Sequence, residues 1–429
     1  MSPPARPSRE TASPEAPPLE MLREIAARFG TPAYAYDAAR VRLQVRRLRS
    51  ALPEGTLLFY SLKANPSLAL SALLARCGLG ADVASAGELA TALAAGFGPA
   101  AIFVSGPYKA PETLAHLRDH PRTLVSVDSA ADLRALAAAG VPCRALLRLR
   151  PDFEPAALVA AGPASRFGIS LDEVPGCREL AGDAALSLAG FHVFCGSQVL
   201  DAAAVARQLD GAAELCLRAA AAAGRAPEVL NLGGGFGIPY RPEEAELDLR
   251  PVGDALERVR ACLHPARICL ELGRYLVAPA GWYLTRVVGH QTHEGRPALV
   301  VDGGTHQRAD LCCLNLRRGA LSPLPLGSSA DGAAPRDVLG CLSAPGDVLS
   351  EAALLPPLAV GEVLAYPNAG AYGLAASPFS FHGSVPPAEV LFDGGWVAEA
   401  RPRLPAAAVL AGQALPIPPA REGLDEAGH

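Results

Sequence analysis

The sequence has little of several residue types, and each shortage argues against a class of protein. Lysine occurs only at Lys63 and Lys109, while alanine, proline and glycine are abundant; we interpret this as compositional bias. The net charge of −5 comes without any basic run, which argues against a nucleic-acid partner. The N-terminal stretch lacks the apolar core of a secretory signal, and the alanine-rich runs are too short and too charged to span a membrane.

The ten cysteines form no C-x-x-C pair and no His/Cys cluster at zinc spacing. This pattern is typical of a reduced protein without a structural metal, so we expect a cytoplasmic location. The chain has 429 residues, half of them hydrophobic, which suffices for a large domain and a smaller one. We expect a disordered N-terminus over residues 1–18 and a loosely ordered Pro/Ala-rich tail over 402–429.

The centre of the chain alternates short apolar runs with stretches of helical period. Eight such units, from "TLLFYSLKAN" to "RICLELGRYLV", predict an α/β fold, a (β/α)8 TIM barrel spanning residues 38–282. Polar or glycine-rich residues follow the apolar runs, where such a barrel builds its active-site face. Beyond it, strands separated by Gly/Pro turns predict a mostly β domain over 283–401, completed by 19–37 from the other chain end.

Lys63 ends the first of these apolar runs, just before the turn at Asn65-Pro66. Taken alone, this position favours a lysine that snorkels to solvent. A desolvated lysine amine can also act as a nucleophile and hold an aldehyde cofactor as a Schiff base.

Two further strand ends carry candidate chemistry. The stretch "LNLGGGFGIPY" places Gly233, Gly234, Gly235 and Gly237 after a strand, either as a phosphate loop or as a tight barrel turn. In "CLELGRYL", Glu271 could pair with a protonated pyridine nitrogen, or it could form an ordinary ion pair with Arg274.

These pieces, in this order, resemble the fold-type III pyridoxal-phosphate (PLP) enzymes, with their alanine racemase-like barrel. More closely they resemble the decarboxylases of the ornithine/diaminopimelate group. The resemblance runs from about residue 30 to 395 and rests on a series of stretches: "YSLKAN", "GADVASAGEL", "SGPYK", "SRFGIS", "GFHVFCGSQ", "LNLGGGFGIPY", "ELGRYLV", "GDVL" and "NAGAYG". It implies PLP as cofactor, no metal, and a homodimer with shared active sites, in which the Asp347 loop reaches in from the partner chain.

The resemblance also implies a role for each matching residue. Lys63 matches the Schiff-base lysine, and Glu271 matches the partner of the pyridine nitrogen. The other implied cofactor contacts are Asp82, His192, Phe194, Ser197, Gly234, Gly235, Gly237, Arg274 and Tyr372. The implied substrate contacts are Arg166, Arg274, His306 and Asp347. His306 and also His382 equally suit loop histidines bonded to backbone.

The sequence departs from the diaminopimelate pattern at Phe194, where the family has a histidine that stacks on the cofactor ring. Phenylalanine can still stack but cannot titrate or hydrogen-bond. This variant resembles a subgroup from secondary-metabolite and exopolysaccharide-linked gene clusters, which includes enzymes that decarboxylate an amino acid tethered to a carrier protein.

A second departure precedes Asp347. Counting back from that residue, the family's catalytic cysteine position holds Ser343, and the next position, which binds a distal ammonium in diamine-forming enzymes, holds Ala344. Cys341 could serve only in another register. Serine is a poorer proton donor than cysteine. Without a carboxylate at 344, ornithine and lysine are disfavoured.

We therefore predict PLP-dependent decarboxylation of an L-amino acid or its conjugate, possibly bound to a carrier protein, giving an amine and CO2 in a biosynthetic pathway. The alternatives are an amino-acid racemase on the same scaffold, a degenerate PLP-binding protein, and a metabolite-binding barrel without PLP.

Overall fold

The structure, a computed structural model, describes residues 18–157, 159–182, 186–309, 322–327 and 331–415. The helices within these ranges are α1 (Leu19–Phe29), α2 (Ala38–Ala51), α3 (Leu68–Arg76), α4 (Ala86–Ala94), α5 (Pro111–Asp119), α6 (Ala130–Ala138), α7 (Val174–Gly182), α8 (Ala202–Ala223), α9 (Leu249–Leu263) and α10 (Arg274–Val277). The strands are β1 (Ala33–Asp37), β2 (Leu57–Ser61), β3 (Gly80–Val83), β4 (Ile102–Val104), β5 (Leu124–Val127), β6 (Cys143–Leu149), β7 (Val159–Ala160), β8 (Leu186–Val193), β9 (Gly196–Ser197), β10 (Val229–Gly234), β11 (Arg267–Leu272), β12 (Gly281–His293), β13 (Arg296–Val301), β14 (Leu324–Pro325), β15 (Ala334–Leu339), β16 (Val348–Leu355), β17 (Val363–Tyr366), β18 (Ala388–Asp393) and β19 (Trp396–Arg401).

Eight parallel strands close into a barrel in the order β10-β11-β2-β3-β4-β5-β6-β8. Each of them corresponds to one of the eight predicted apolar runs, so the prediction of a (β/α)8 barrel is confirmed. The runs are mainly apolar because helices cover the outside of the barrel and side chains fill its inside.

The barrel helices begin where a polar side chain caps the first turn. Ser85 accepts a hydrogen bond from the amide of Glu88 at 3.2 Å, and Ser129 accepts one from Asp132 at 3.1 Å. The long helix α8 ends at Gly224, whose φ of 61° is the left-handed conformation that glycine adopts without strain. These local signals set the direction in which each strand re-enters the barrel.

The second body is a mostly β domain built from both chain ends, as predicted. Its main sheet has the order β16-β15-β13-β12-β1-β18-β19, so the N-terminal strand β1 pairs with β12 on one side and β18 on the other. Helix α1 buries Leu22 and Ile25 against Trp282 and Val390 of this sheet. This packing explains why residues from the start of the chain are needed to complete a C-terminal domain.

The two bodies meet at the strand end that carries Lys63. The Tyr372 amide donates to the Ala64 carbonyl at 2.7 Å, and the Asn65 side-chain amide donates to the Gly370 carbonyl at 2.9 Å. The loop with the sequence "NAGAYG" is thus fastened to the mouth of the barrel, which brings a β-domain tyrosine to the lysine.

The predicted N-terminal disorder falls on residues almost all outside those the structure describes, as does the end of the predicted tail. The exact domain boundaries stay predictions. Among the helices of the described ranges, none combines the length and apolar character needed to cross a membrane.

Candidate active site

Lys63 lies in the short turn Leu62–Ala64 that follows β2. Its side chain keeps 45% of its surface exposed, toward the carboxyl-terminal mouth of the barrel. Burial lowers the pKa of this ammonium group, but the carboxylates of Asp82 and Glu271 raise it more, so the pKa stands above its ordinary value. The amine therefore carries a proton that it must lose before it can attack an aldehyde.

Asp82 holds the lysine in place from the end of β3. Its carboxylate accepts hydrogen bonds from Ser61 Oγ at 2.7 Å and Ser105 Oγ at 2.6 Å, and it lies 3.5 Å from Lys63 Nζ. The two hydroxyl groups satisfy the hydrogen-bonding capacity of this buried side chain and fix its orientation. Asp82 is thus a fixed counter-ion for Lys63.

Glu271 lies at the end of β11, buried in the same mouth. The side-chain amide of Asn231 donates to Glu271 Oε1 at 2.6 Å, and His192 Nε2 lies 3.3 Å from the same oxygen. Burial, reinforced by the charge of Asp82, raises the pKa of Glu271 to about 8. Asn231 in turn accepts from the Gly233 amide at 3.0 Å, which ties this acid to the glycine-rich loop.

His192 is a buried imidazole that lies between Ser126 and Glu271. Its Nδ1 lies 2.8 Å from Ser126 Oγ, and burial together with the charge of Arg148 keeps its pKa well below the ordinary value. Within the described part of the chain, Nε2 makes no hydrogen bond and points toward Glu271. The imidazole is therefore available to orient that acid without adding charge.

Phe194 forms a flat wall between two cations. Lys63 Nζ lies 5.8 Å from the centre of its ring, and Arg148 Cζ lies 5.9 Å from it. Arg148 also stacks on Phe167 at 4.9 Å and pairs with Asp128 at 3.0 Å, so its position is fixed from three sides. An aromatic ring held this way can stack on a planar ligand.

The glycine-rich loop packs where side chains have no room. A Cβ at Gly235 would lie 2.1 Å from the Gly196 carbonyl oxygen, and one at Gly234 would lie 2.0 Å from that of Glu271. Gly233 and Gly235 also adopt positive φ angles of 66° and 82°. The backbone of this loop therefore forms part of the cavity surface, as a phosphate cradle requires.

Arg274 places a positive charge in the cavity that the glycine-rich loop also lines. Its Nη1 donates to Tyr240 Oη at 2.6 Å, and its Cζ lies 4.8 Å from the ring centre of Tyr372. The guanidinium is buried between two tyrosines, which holds it in one orientation.

Several of these groups line one cavity, which has a volume of about 410 Å³ when its open mouth is included. The predicted residues that line it are Lys63, Phe194, Ser197, Gly235, Glu271, Arg274 and Tyr372. An amine, an acid, an aromatic ring and an arginine thus face one cavity.

A family model described as "Pyridoxal-dependent decarboxylase, pyridoxal binding domain" matches residues 38–278, more than half of the chain. This chain belongs to the pyridoxal-dependent decarboxylases. An L-glutamyl-[BtrI acyl-carrier protein] decarboxylase of Niallia circulans is 32% identical over 392 residues, covering 86% of this chain and 90% of the relative. A diaminopimelate decarboxylase of Actinosynnema pretiosum subsp. auranticum is 35% identical over 366 residues, covering 81% of each.

Solved structures agree with this assignment. A crystal structure of AQ1208 from Aquifex aeolicus superposes with a TM-score of 0.81 at 28% identity, covering 91% of this chain and 93% of the other. One of diaminopimelate decarboxylase gives a TM-score of 0.83 at 25% identity, covering 92% and 96%.

The cavity of this decarboxylase fits pyridoxal 5'-phosphate, the cofactor of the family. Lys63 would take the aldehyde, Glu271 the pyridine nitrogen, and the side bounded by Gly235, Ser197 and Arg274 the phosphate. The fit is supported by the close packing at Gly235 and by the unbonded His192 Nε2 beside Glu271. The individual roles stay predictions.

The residues expected from the turn before Asp347 lie away from this cavity. Ser343 and Cys341 are exposed, and neither is among the residues that line the cavity. Asp347 is buried, and its carboxylate accepts from the Thr305 amide at 2.7 Å, the Thr305 hydroxyl at 2.8 Å and the Leu342 amide at 2.8 Å. Within one chain, this carboxylate holds its own turn together.

Of the other predicted substrate residues, Arg274 lines the cavity, whereas Arg166 and His306 lie outside its lining. The Arg166 guanidinium stacks on Phe167 at 4.2 Å, next to the ring that carries Arg148. His306 is buried near Asp347, and burial lowers its pKa. In the described ranges, no group of three or more His, Cys, Asp or Glu side chains could hold a metal ion.

Sequence reasoning missed several polar residues that organise the site. Asn231, Arg148 and Ser126 lie inside strands that read as apolar runs, and Asp128 follows one of them directly. A polar side chain within a buried strand needs a partner, so this interruption of the apolar pattern was the available signal.

Proposed function

We propose that this decarboxylase acts on an L-amino acid held as a conjugate, with a carrier-bound acidic amino acid as the substrate class. The C–C bond to the α-carboxylate breaks, CO2 leaves, and a proton takes its place to give the amine. The Niallia circulans relative is named for a glutamyl group on an acyl-carrier protein, which supports this class.

The observation that carries the proposal is the turn before Asp347. Position 344 holds alanine, and the carboxylate of Asp347 already accepts three hydrogen bonds. Neither residue therefore offers a free carboxylate to a distal ammonium group. A free diamino acid would have to bury that charge without a partner there, which is costly.

When bound, the cofactor supplies the electron sink for the pair left on the α-carbon. Lys63 supplies the amine, and the Asp82 side chain forms an ion pair with it. Glu271, oriented by Asn231, sets the protonation of the group that faces it. Phe194 covers one side of the cavity with an apolar ring that cannot exchange protons.

We also propose a cytoplasmic homodimer in which the turn 341–347 approaches the partner's cavity. The exposure of Ser343 and Cys341 in one chain supports this arrangement. Mixing a Lys63→Ala protomer with a Ser343→Ala/Cys341→Ala protomer would restore about a quarter of the activity if sites are shared. No recovery in a mixed dimer verified by mass would contradict shared sites.

The substrate proposal is tested by CO2 release from the PLP-loaded protein, with product masses measured in parallel. The substrates are L-glutamate joined through its γ-carboxyl group, as a thioester, to a carrier protein or to pantetheine, so that the α-carboxylate stays free; free glutamate, meso-diaminopimelate, ornithine and lysine are compared with them. We expect CO2 and the matching amine from a thioester, and little from the free diamino acids. Rapid turnover of diaminopimelate, the substrate named for many relatives, would contradict the conjugate proposal and leave the decarboxylase assignment intact.

A further inference from the structure

A second cavity lies at the opposite, amino-terminal end of the barrel. Its volume is about 800 Å³ and that of the active-site cavity about 410 Å³, both with the open mouth included. Four arginines and no aspartate or glutamate line it: Arg49, Arg122, Arg144 and Arg267. In a chain with a net charge of −5, this is a local concentration of positive charge.

Two of these arginines are held by the protein, and two are available. Arg144 pairs with Glu228 at 3.0 Å, and Arg49 donates to the Gly78 carbonyl at 3.3 Å. Across the described ranges, Arg122 and Arg267 make no side-chain hydrogen bond or ion pair. Their planar guanidinium groups can therefore donate to a phosphate or carboxylate that enters the cavity.

The floor of the cavity is apolar. Phe59 and Leu124 are buried in it, and Leu57 and Val229 complete its lining. Gly80 keeps the floor in this shape, because a Cβ there would lie 2.6 Å from the Phe59 ring. A ligand that joins an apolar body to an anionic group could contact the apolar floor and the arginines at its rim at the same time.

The cavity is separate from the active site. The Phe59 ring packs on Phe103 at 5.9 Å, and Phe103 meets His192 edge-on at 5.6 Å. These side chains belong to the packed layers that fill such a barrel. A ligand of the amino-terminal cavity would therefore not reach Lys63 through the barrel.

From the rim and the floor together, we propose that this amino-terminal cavity binds a small organic anion that joins an apolar body to a phosphate or carboxylate group. Arg122 and Arg267 hold the anionic group, and Phe59 with Leu124 contacts the apolar body. The proposal does not depend on the substrate proposed above.

The test uses the PLP-loaded enzyme, so that the phosphate side of the active site is filled. Fluorescence titration with 8-anilinonaphthalene-1-sulfonate, an apolar anion, measures binding, and 1-naphthyl phosphate and 1-naphthoate are added as competitors. We expect one saturable site per chain that at least one competitor displaces, and the stronger competitor identifies the preferred anionic group. Failure of both competitors would overturn the proposal.

The Arg122→Gln/Arg267→Gln variant should lose about tenfold or more in affinity, because two charge-assisted hydrogen bonds are removed. The matched control is Arg134→Gln/Arg178→Gln, two exposed arginines on α6 and α7 that do not line the cavity. The control should bind like the wild type. Equal affinity in all three proteins would place the dye elsewhere and overturn the proposal. Thermal unfolding and CO2 release of each variant show that the fold and the active site are intact.

Discussion

We expected the active site to include both the carboxyl-terminal mouth of the barrel and the turn before Asp347. In one chain, the mouth forms a cavity and the turn lies outside its lining. At the mouth, residues at or just after the ends of β2, β8, β10 and β11 line one cavity, and Asp82 at the end of β3 lies 3.5 Å from Lys63 Nζ. In the turn, the Asp347 carboxylate accepts hydrogen bonds from the Thr305 and Leu342 amides, and Ser343 is exposed. The barrel thus carries the candidate cofactor half of the site, and our proposal assigns substrate choice to the turn of a partner chain.

The difference has a physical origin. Parallel strands fix the direction and spacing of the residues that follow them, so Lys63, Asp82 and Glu271 must meet. A turn between antiparallel strands has no such constraint. Variants at the mouth should therefore affect every substrate, and variants in the turn should change which substrate is preferred.

The largest effect is expected for Lys63→Ala. Loss of the lysine amine from the cavity lining should reduce CO2 release by about a thousandfold or more for all substrates, as for other essential catalytic groups. Borohydride reduction of the wild type should leave a pyridoxyl group on the peptide containing Lys63. Lys109, which is buried and pairs with Asp132 at 2.6 Å, serves as the internal control and should stay unlabelled.

Glu271→Gln should reduce the rate about a hundredfold, because the charge that faces the cofactor is lost. Its effect on stability should depend on pH in the cofactor-free protein. The folded pKa of about 8 lies above the ordinary carboxyl value, so the group's contribution is fully present at low pH and declines as pH rises toward 8. The Tm of the wild type should fall relative to that of Glu271→Gln between pH 5 and 8; a constant Tm difference would argue against the raised pKa.

Asn231→Ala should have a smaller effect, about tenfold on kcat, because one hydrogen bond to a charged group is lost. Asn231→Asp is the informative companion, since it keeps the size but puts a second acid beside Glu271. Both variants should shift the pH profile of kcat while leaving the substrate order unchanged. A change in KM alone would indicate that Asn231 does not orient Glu271.

Of these variants, Ala344→Asp should change kcat/KM least. It should change it for diamino acids in particular. A carboxylate in the turn would provide a partner for a distal ammonium and raise kcat/KM for ornithine or lysine about fivefold, the scale of a partly exposed ion pair. Ala344→Asn, similar in size but uncharged, is the control. Equal gains with both variants would show that charge in this turn does not select the substrate.

The barrel was predictable because its periodic apolar runs fix the strands, and the order of the motifs fixes where Lys63 and Glu271 lie. The mixed origin of the β domain was also predictable, from the strand at residues 33–37. Asn231 and Arg148 were not, because a single polar residue in an apolar run does not reveal its partner. The placement of Ser343 depends on hydrogen bonds among residues far apart in sequence, such as Thr305 with Asp347, which no local pattern specifies.

The most direct test of the account is the ratio of kcat/KM for an L-glutamyl carrier-protein thioester to that for meso-diaminopimelate, measured on the same PLP-loaded protein. We predict a ratio above about ten, because the distal ammonium group of diaminopimelate loses water without gaining a carboxylate partner in this turn. A ratio below one would contradict the claim that the turn before Asp347 excludes free diamino acids.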